Sequence, residues 1–504
     1  MNRYSSVGFL VKVLVLAEIV SIIGHYYPSV NTAAFFMLAL LTAMLSWRDL
    51  RYGAVIMALE LITGSKGYLF FAEFGQLKIS GRMAVWSIIM VVWLIKAFQE
   101  LFKDRKISLE KFFPRELVLV FTPLLLFVFW GGLNGILRGN GAQNVFLDQN
   151  GWIYFACILP LYAAIRREGG IEMLKNAFIA ATLWLSIKTL ILLYFFSHEQ
   201  QALNQEIYRW VRETGVGEIT KMQNGFYRIF FQSHIYSIFG IFASLAVLSE
   251  ELKKNGKKIF TFDFVAKFIY LIMAISVIFI SFSRSFWAGI AAALPMFAAY
   301  LIKVHGTKVF FRVFIVGSVS VFFAVIIIAA IVKFPLPRPT SGFDPVFLTD
   351  RASQLSGEAG VSSRWSLLPK LMDKVLERPI MGSGFGATVT YESSDPRVLE
   401  QNPSGEYTTY AFEWGWIDIW YKLGIFGLAS YVFLAGYLFY QLVRLSITDK
   451  ADPFWRPIFA SLGISLACVS MVSFFSPYLN HPLGIGFLVI CALILSKKNL
   501  PAGA

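Results

Sequence analysis

Fourteen stretches of this chain are apolar for about the length a helix needs to cross a bilayer, and that limits what it can fold into. A hydrocarbon layer about 30 Å thick takes about 20 helical residues. Such windows fall near 7–24, 31–47, 52–73, 83–101, 117–137, 151–165, 176–196, 226–248, 267–283, 285–302, 312–333, 412–440, 457–474 and 482–496. The third is interrupted by Gly64-Ser65-Lys66-Gly67, and the last two are short. Lipid offers the backbone no hydrogen-bond partner, so the spans must be helices. Only 15% of the 504 residues are charged, against about 25% in soluble domains. The expected fold is an all-α polytopic integral membrane protein with about 14 transmembrane helices.

The net charge of +14 first suggests nucleic acid, but its placement argues otherwise. The excess sits in short connections: Lys103, Arg105, Lys106, Lys111 and Arg115; Arg166, Arg167 and Lys175; Lys253, Lys254, Lys257 and Lys258; Lys303, Lys308 and Arg312; Lys497 and Lys498. With the N-terminus in the cytoplasm, every one of these clusters is cytoplasmic, as the positive-inside rule requires. Shifting the register by one span puts them all outside. The expected partners are therefore membrane lipid and no nucleic acid. Cys157, Cys468 and Cys491 lie in apolar runs without metal-ligand spacing and read as small buried residues. The first window lacks a clear cleavage site and reads as a retained span.

The chain divides into helices 1–11 over 1–333, an extracytoplasmic loop over 334–411, and helices 12–14 over 412–504. A loop of that length is usually functional. Within it Ser362-Ser363-Arg364-Trp365 opens a predicted helix with a serine cap. Trp365, Leu368, Met372 and Val375 form its apolar stripe. Arg378-Pro379 ends it. Such a helix lies on the outer membrane surface or lids a cavity; a plain packing helix is the alternative.

Several residues could carry chemistry. Arg284, in Ser283-Arg284-Ser285 at the outer join of spans nine and ten, is costly there unless paired or wet. Arg228 opens span eight, with His234 following. Two arginine forks would suit a diphosphate, and Arg364 is a third candidate. Each has a plainer alternative as an interfacial anchor or a solvated cap. Glu413 stands where the loop re-enters the membrane, and a carboxylate there can serve as general base toward a hydroxyl. Gly382-Ser383-Gly384 could offer amides to an anion, and His481 could join a polar site. Glu60 and Lys188 fall mid-span and read as a structural bridge, with each other as candidate partners. No cluster has metal-ligand spacing and there is no P-loop, so neither a cofactor nor a metal is expected.

An arginine opens a mid-chain span; Ser-Arg-Ser follows at a tight outer turn; then comes a long outer loop with Ser-Arg-Trp and Arg378-Pro379-Ile380-Met381-Gly382-Ser383-Gly384, and a span with Leu423-Gly424-Ile425-Phe426-Gly427-Leu428. Over roughly residues 220–440 this order resembles the O-antigen ligase and Wzy-type O-antigen polymerase superfamily. The resemblance implies a GT-C-like, metal-independent, inverting glycosyltransferase at the outer face of the bacterial cytoplasmic membrane. It would move a glycan from undecaprenyl diphosphate to a glycan, lipid or protein hydroxyl. Carried over by position, Arg228 and Arg284 would hold the diphosphate. Ligases typically place a His at the end of the outer loop as the acceptor base; here Glu413 stands there, a departure from the ligase pattern that leaves ligase, polymerase and protein-glycosylating subtypes open.

The rival from another class is a transporter or flippase for lipid-linked sugars. Such proteins put their sites near the midplane, often between repeats. This chain puts its polar chemistry at one face, which favours the enzyme.

Overall fold

The computed structural model describes residues 6–75, 77–104, 113–222, 225–253, 261–342, 359–448 and 454–496. In chain order the helices are α1 (Val7–Tyr26), α2 (Pro28–Arg48), α3 (Leu50–Thr63), α4 (Gly81–Asp104), α5 (Arg115–Leu137), α6 (Ala142–Ile153), α7 (Ile158–Ile165), α8 (Gly170–Ser197) and α9 (Gln201–Glu213). They continue as α10 (Ile235–Lys253), α11 (Phe262–Ser281), α12 (Arg284–His305), α13 (Thr307–Val332), α14 (Ala359–Glu377), α15 (Pro396–Gln401), α16 (Gly415–Ile447), α17 (Trp455–Phe475) and α18 (Pro482–Ser496). Three antiparallel hairpins interrupt them: β1 (Phe71–Phe74) with β2 (Leu77–Ser80), β3 (Glu218–Lys221) with β4 (Tyr227–Phe230), and β5 (Val389–Glu392) with β6 (Glu406–Thr409). The protein is an all-α polytopic membrane protein.

Among the described residues eleven helices are long and apolar enough to cross a membrane. They match eleven of the fourteen windows. The other three windows hold helices that are shorter or broken. In the third window α3 ends at Thr63, where Gly64 N–H closes on the Glu60 carbonyl, and the chain turns into β1. The sixth is α6, a 3-10 turn and α7, and the last is the 15-residue α18.

At the bundle's centre α17 packs on α16, α12 and α10. Four-fifths of α10 is enclosed (78%), against 17% of α4 and 22% of α13, so the latter two face outward. At one end Arg167 and Arg51 meet Asp49, Lys96 Nζ donates to the Ser46 and Trp47 carbonyls, and Arg312 donates to the Leu252 carbonyl. Arg167 and Arg312 come from the basic clusters that set the expected topology. Arg105, Lys106, Lys111, Lys254, Lys257, Lys258, Lys497 and Lys498 lie outside the described residues. The hairpins, α9, α14 and α15 gather at the other end.

Among the described residues, four ion pairs centred on three cations are buried inside the bundle. Lys188 Nζ donates to Glu18 at 2.6 Å, with both side chains 5% exposed. Arg82 Nε donates to Glu60 at 2.9 Å. Lys422 Nζ bridges Asp148 at 2.6 Å and Asp418 at 2.7 Å. Glu60 and Lys188 are thus structural bridges, but each with its own partner. Their positions along the chain locate the charges in depth and say nothing of which helix faces which.

The segment between α13 and α16 has its own small core. Leu367, Leu371 and Val375 bury against Ala387, Val389, Phe412, Trp414 and Tyr421. The buried stripe of α14 therefore has a spacing of four, and Trp365 stays 57% exposed, touching Trp414 edge-on at 5.4 Å. The expected stripe through Trp365, Leu368 and Met372 is one residue off. The helix begins at Ala359, ahead of the serines, and Ser363 Oγ accepts from Ser394 N–H instead of capping. It stops at Glu377, before Arg378-Pro379, as expected.

Candidate functional site

At the hairpin end a cavity of about 750 Å³ opens between the loops. Its walls carry Arg228, Arg284, Arg364, Glu413 and His481 from the expected set, together with Lys66, Arg212 and Glu218. Each side chain is delivered by a local feature of the sequence.

Arg228 sits on β4, not at the start of a helix. The hairpin pairs Ile219 with Ile229 and Thr220 with Arg228. Alternate residues of a strand point to opposite faces, so Ile219 and Ile229 bury beneath while Glu218, Arg228 and Phe230 face the cavity. Tyr227-Arg228-Ile229-Phe230 is apolar enough to pass as the mouth of a span, so hydropathy alone gives a helix where the fold has a strand. The overlooked signal is Asn224-Gly225 between alternating segments, a hairpin dipeptide. The same reading would have exposed Glu218. Arg212 comes from α9, whose Trp210 and Val211 anchor it on the hairpin's buried face.

Arg284 is the first residue of α12, with only Phe282 and Ser283 between it and the end of α11. The join is tight because Phe282 takes a left-handed conformation, φ 47°, while fully buried against Phe226 and Trp287. A bulky residue in that region is held against its preference, a pattern found at functional turns. Arg228 ties itself to this turn: its Nε donates to the Ser281 carbonyl at 2.8 Å. Ser285 Oγ receives Ser476 Oγ at 3.3 Å, joining the turn to the end of α17.

Arg364, in α14, donates through Nε to Glu413 Oε2. Glu413 lies two residues before α16. Burial, with the charges of Arg228 and Arg284, pushes the Arg364 guanidinium down to about 10, so it stays charged at neutral pH. Burial also lowers Arg228, and the charge of Arg284 adds to that. Three guanidiniums thus feel one another across one space, an arrangement that favours a bound anion.

His481 follows the 3-10 turn Tyr478–Asn480. Leu483 N–H donates to its Nδ1 at 3.3 Å, so the ring proton is on Nε2. Burial, then the charges of Arg82 and Lys66, push the ring down to about 3 and keep it neutral. His481 is thus a hydrogen-bond donor, not a base.

Three expected residues do not reach the cavity. His234 is buried, with Thr189 Oγ1 at 3.0 Å from Nε2 and its Nδ1 taking Phe231 N–H at 3.3 Å. Gly382 and Gly384 have their amides engaged internally: Gly382 N–H donates to Arg378, and Gly384 N–H to the Lys422 carbonyl at 3.0 Å. They are glycines because a Cβ on Gly384 would stand 2.3 Å from the Gly135 nitrogen. The turn packs helices together and offers no amide to a ligand.

Among the described residues the cavity therefore combines five cations with two carboxylates. It can hold an oxygen-rich dianion beside a carboxylate able to take a proton. Residues 269–432 match the family model described as O-antigen ligase. That stretch contains Arg284, Arg364 and Glu413 but not Arg228. No curated protein matches the chain.

Proposed function

The chain belongs, through residues 269–432, to the O-antigen ligase superfamily, and on that premise we propose that the cavity is its transfer site. The donor is a glycan on undecaprenyl diphosphate, and the acceptor is a sugar, lipid or protein hydroxyl. The cavity end faces outward from the bacterial cytoplasmic membrane, with both termini in the cytoplasm. The observation that carries this reading is the meeting of Arg228, Arg284 and Arg364 with Glu413 in one cavity.

Arg228 and Arg284 clamp the diphosphate. As the bond from anomeric carbon to phosphate oxygen breaks, charge builds on the leaving diphosphate. Fixed guanidiniums aimed there stabilise that charge more than the ground state. The acceptor hydroxyl gives its proton to Glu413 and attacks from the face opposite the leaving group, which inverts the anomeric carbon. No metal is needed, because the arginines supply the positive charge. The ion pair to Arg364 occupies Glu413 until a donor arrives. The diphosphate then draws Arg364 away, and the freed carboxylate takes the acceptor proton.

Complementation of surface polysaccharide in a deletion strain tests the reading, with wild type, Arg284→Ala and Glu413→Ala at matched expression. Wild type should restore polymer and both variants fail. Short chains in the failing strains would mark a polymerase; full chains left on the lipid carrier would mark a ligase. Activity in both variants would overturn the site and bring a lipid-sugar transporter forward.

A further inference from the structure

The cavity holds more positive charge than a diphosphate uses. Arg212 pairs with Glu218 at 3.3 Å, and Arg364 pairs with Glu413. A diphosphate diester carries one negative charge on each phosphate; with Glu413 that makes three, which Arg228, Arg284 and Arg364 together can match. Lys66 remains, and among the described residues it has no ion-pair partner.

Lys66 is held there by construction. It belongs to the Gly64–Gly67 turn between α3 and β1, closed by Gly67 N–H on the Gly64 carbonyl at 2.8 Å. Its neighbour Ser65 is fully buried at φ 54°, a conformation a non-glycine residue seldom adopts. Ser65 Oγ is locked by Ser233 Oγ at 3.0 Å and Ser233 N–H at 3.4 Å. The lysine stem lies on bare backbone at Gly215, where a Cβ would stand 3.0 Å from Lys66 Cδ. A strained, pinned turn that aims one cation into a cavity implies something for it to meet. Beside it is His481, within reach of the charge of Lys66 and with its Nε2–H available as a donor.

We infer that Lys66, with the Nε2–H of His481, forms a second anion subsite that takes a carboxylate or phosphate carried on a sugar of the glycan. The substrate is then an acidic glycan, not a neutral one. This rests on the cavity being the transfer site. The acidic sugar belongs to the donor or to the acceptor, and the two sources separate in the assay.

The first experiment needs no turnover. Full-length protein in nanodiscs is titrated with glucuronate, glucose and pyrophosphate. Glucuronate should bind with pyrophosphate already present. Lys66→Met should weaken glucuronate by about tenfold or more, the loss of a charged hydrogen bond, and spare pyrophosphate. Lys66→Arg should restore most of it, and Arg284→Ala should show the opposite selectivity. Displacement of glucuronate by pyrophosphate, or an unchanged glucuronate affinity in Lys66→Met, overturns the subsite. The second experiment measures transfer with carboxylated and carboxyl-reduced glycans, on donor and acceptor in turn. Lys66→Met should shrink the KM preference for the carboxylated form on one of them, which names the source; an unchanged preference on both overturns the inference. Absence of transfer by wild type with every pair would count against the transferase, while probe binding would still decide the subsite.

Discussion

Arg364 Nε donates to Glu413 Oε2, and Trp414 Nε1 returns a hydrogen bond to the Arg364 carbonyl at 3.0 Å. Two bonds latch α14 to the chain just ahead of α16, at the carboxylate proposed as the base. The pair is 36% and 51% exposed, so it contributes at most about 1 kcal/mol to stability. In the proposed mechanism its role is to couple the arrival of an anion to the release of the base.

Glu413→Gln should lower kcat by about 100-fold to 10,000-fold, the usual reach of general-base catalysis. Arg364→Ala should raise the donor KM while leaving the unfolding midpoint nearly unchanged. In a double-mutant cycle the two should be strongly non-additive in kcat/KM. Additive losses would mean that the ion pair has no part in turnover.

Arg228→Lys and Arg284→Lys keep the charge and lose the fork. Each should reduce kcat/KM by about 10-fold to 100-fold. Arg228→Lys should also lower stability, because it removes the donor to the Ser281 carbonyl. Single-turnover kinetics with a defined lipid diphosphate donor, beside a thermal melt, separates the two effects.

Lys188→Met strands Glu18 inside the bundle. Breaking one side of a buried pair costs about 3–5 kcal/mol. The double variant Lys188→Met with Glu18→Leu should recover most of that loss in a detergent melt. A double variant no better than the single would show that the pair is not the cause.

Gly424 bends α16 at φ 74° and ψ 179°, and a Cβ there would stand 2.0 Å from the Ile380 carbonyl oxygen. Gly424→Ala meets both a forbidden backbone region and a backbone clash. Its cost should exceed the roughly 1–3 kcal/mol of such strain alone, visible as loss of folded protein on size exclusion.

His481 should not shape the activity profile between pH 5 and 8, since burial holds its ring near 3. It should shape acid stability. Below about pH 6.5 the unfolded chain binds a proton there and the folded one does not, so stability falls as pH drops toward 3. The slope from this group is at most about 1.4 kcal/mol per pH unit. His481→Gln should flatten the fall, read as melting temperature against pH.

Hydropathy and length are local properties, and through them the sequence alone determined the membrane class, eleven full spans and the near-absence of a loop before Arg284. The stop of α14 before Arg378-Pro379 was legible for the same reason: proline acts on its own neighbour. The Arg228 strand was missed because a short apolar run fits either period, and only the partner strand settles which. Tertiary structure alone decided that Lys188 meets Glu18 and Arg82 meets Glu60, that the Gly382-Gly384 amides are spent inside the bundle, and that Lys66, Arg212 and His481 share a wall with Arg284 and Glu413. Those outcomes depend on which helix faces surround which space, and residues far apart along the chain carry no mark of that until the bundle closes.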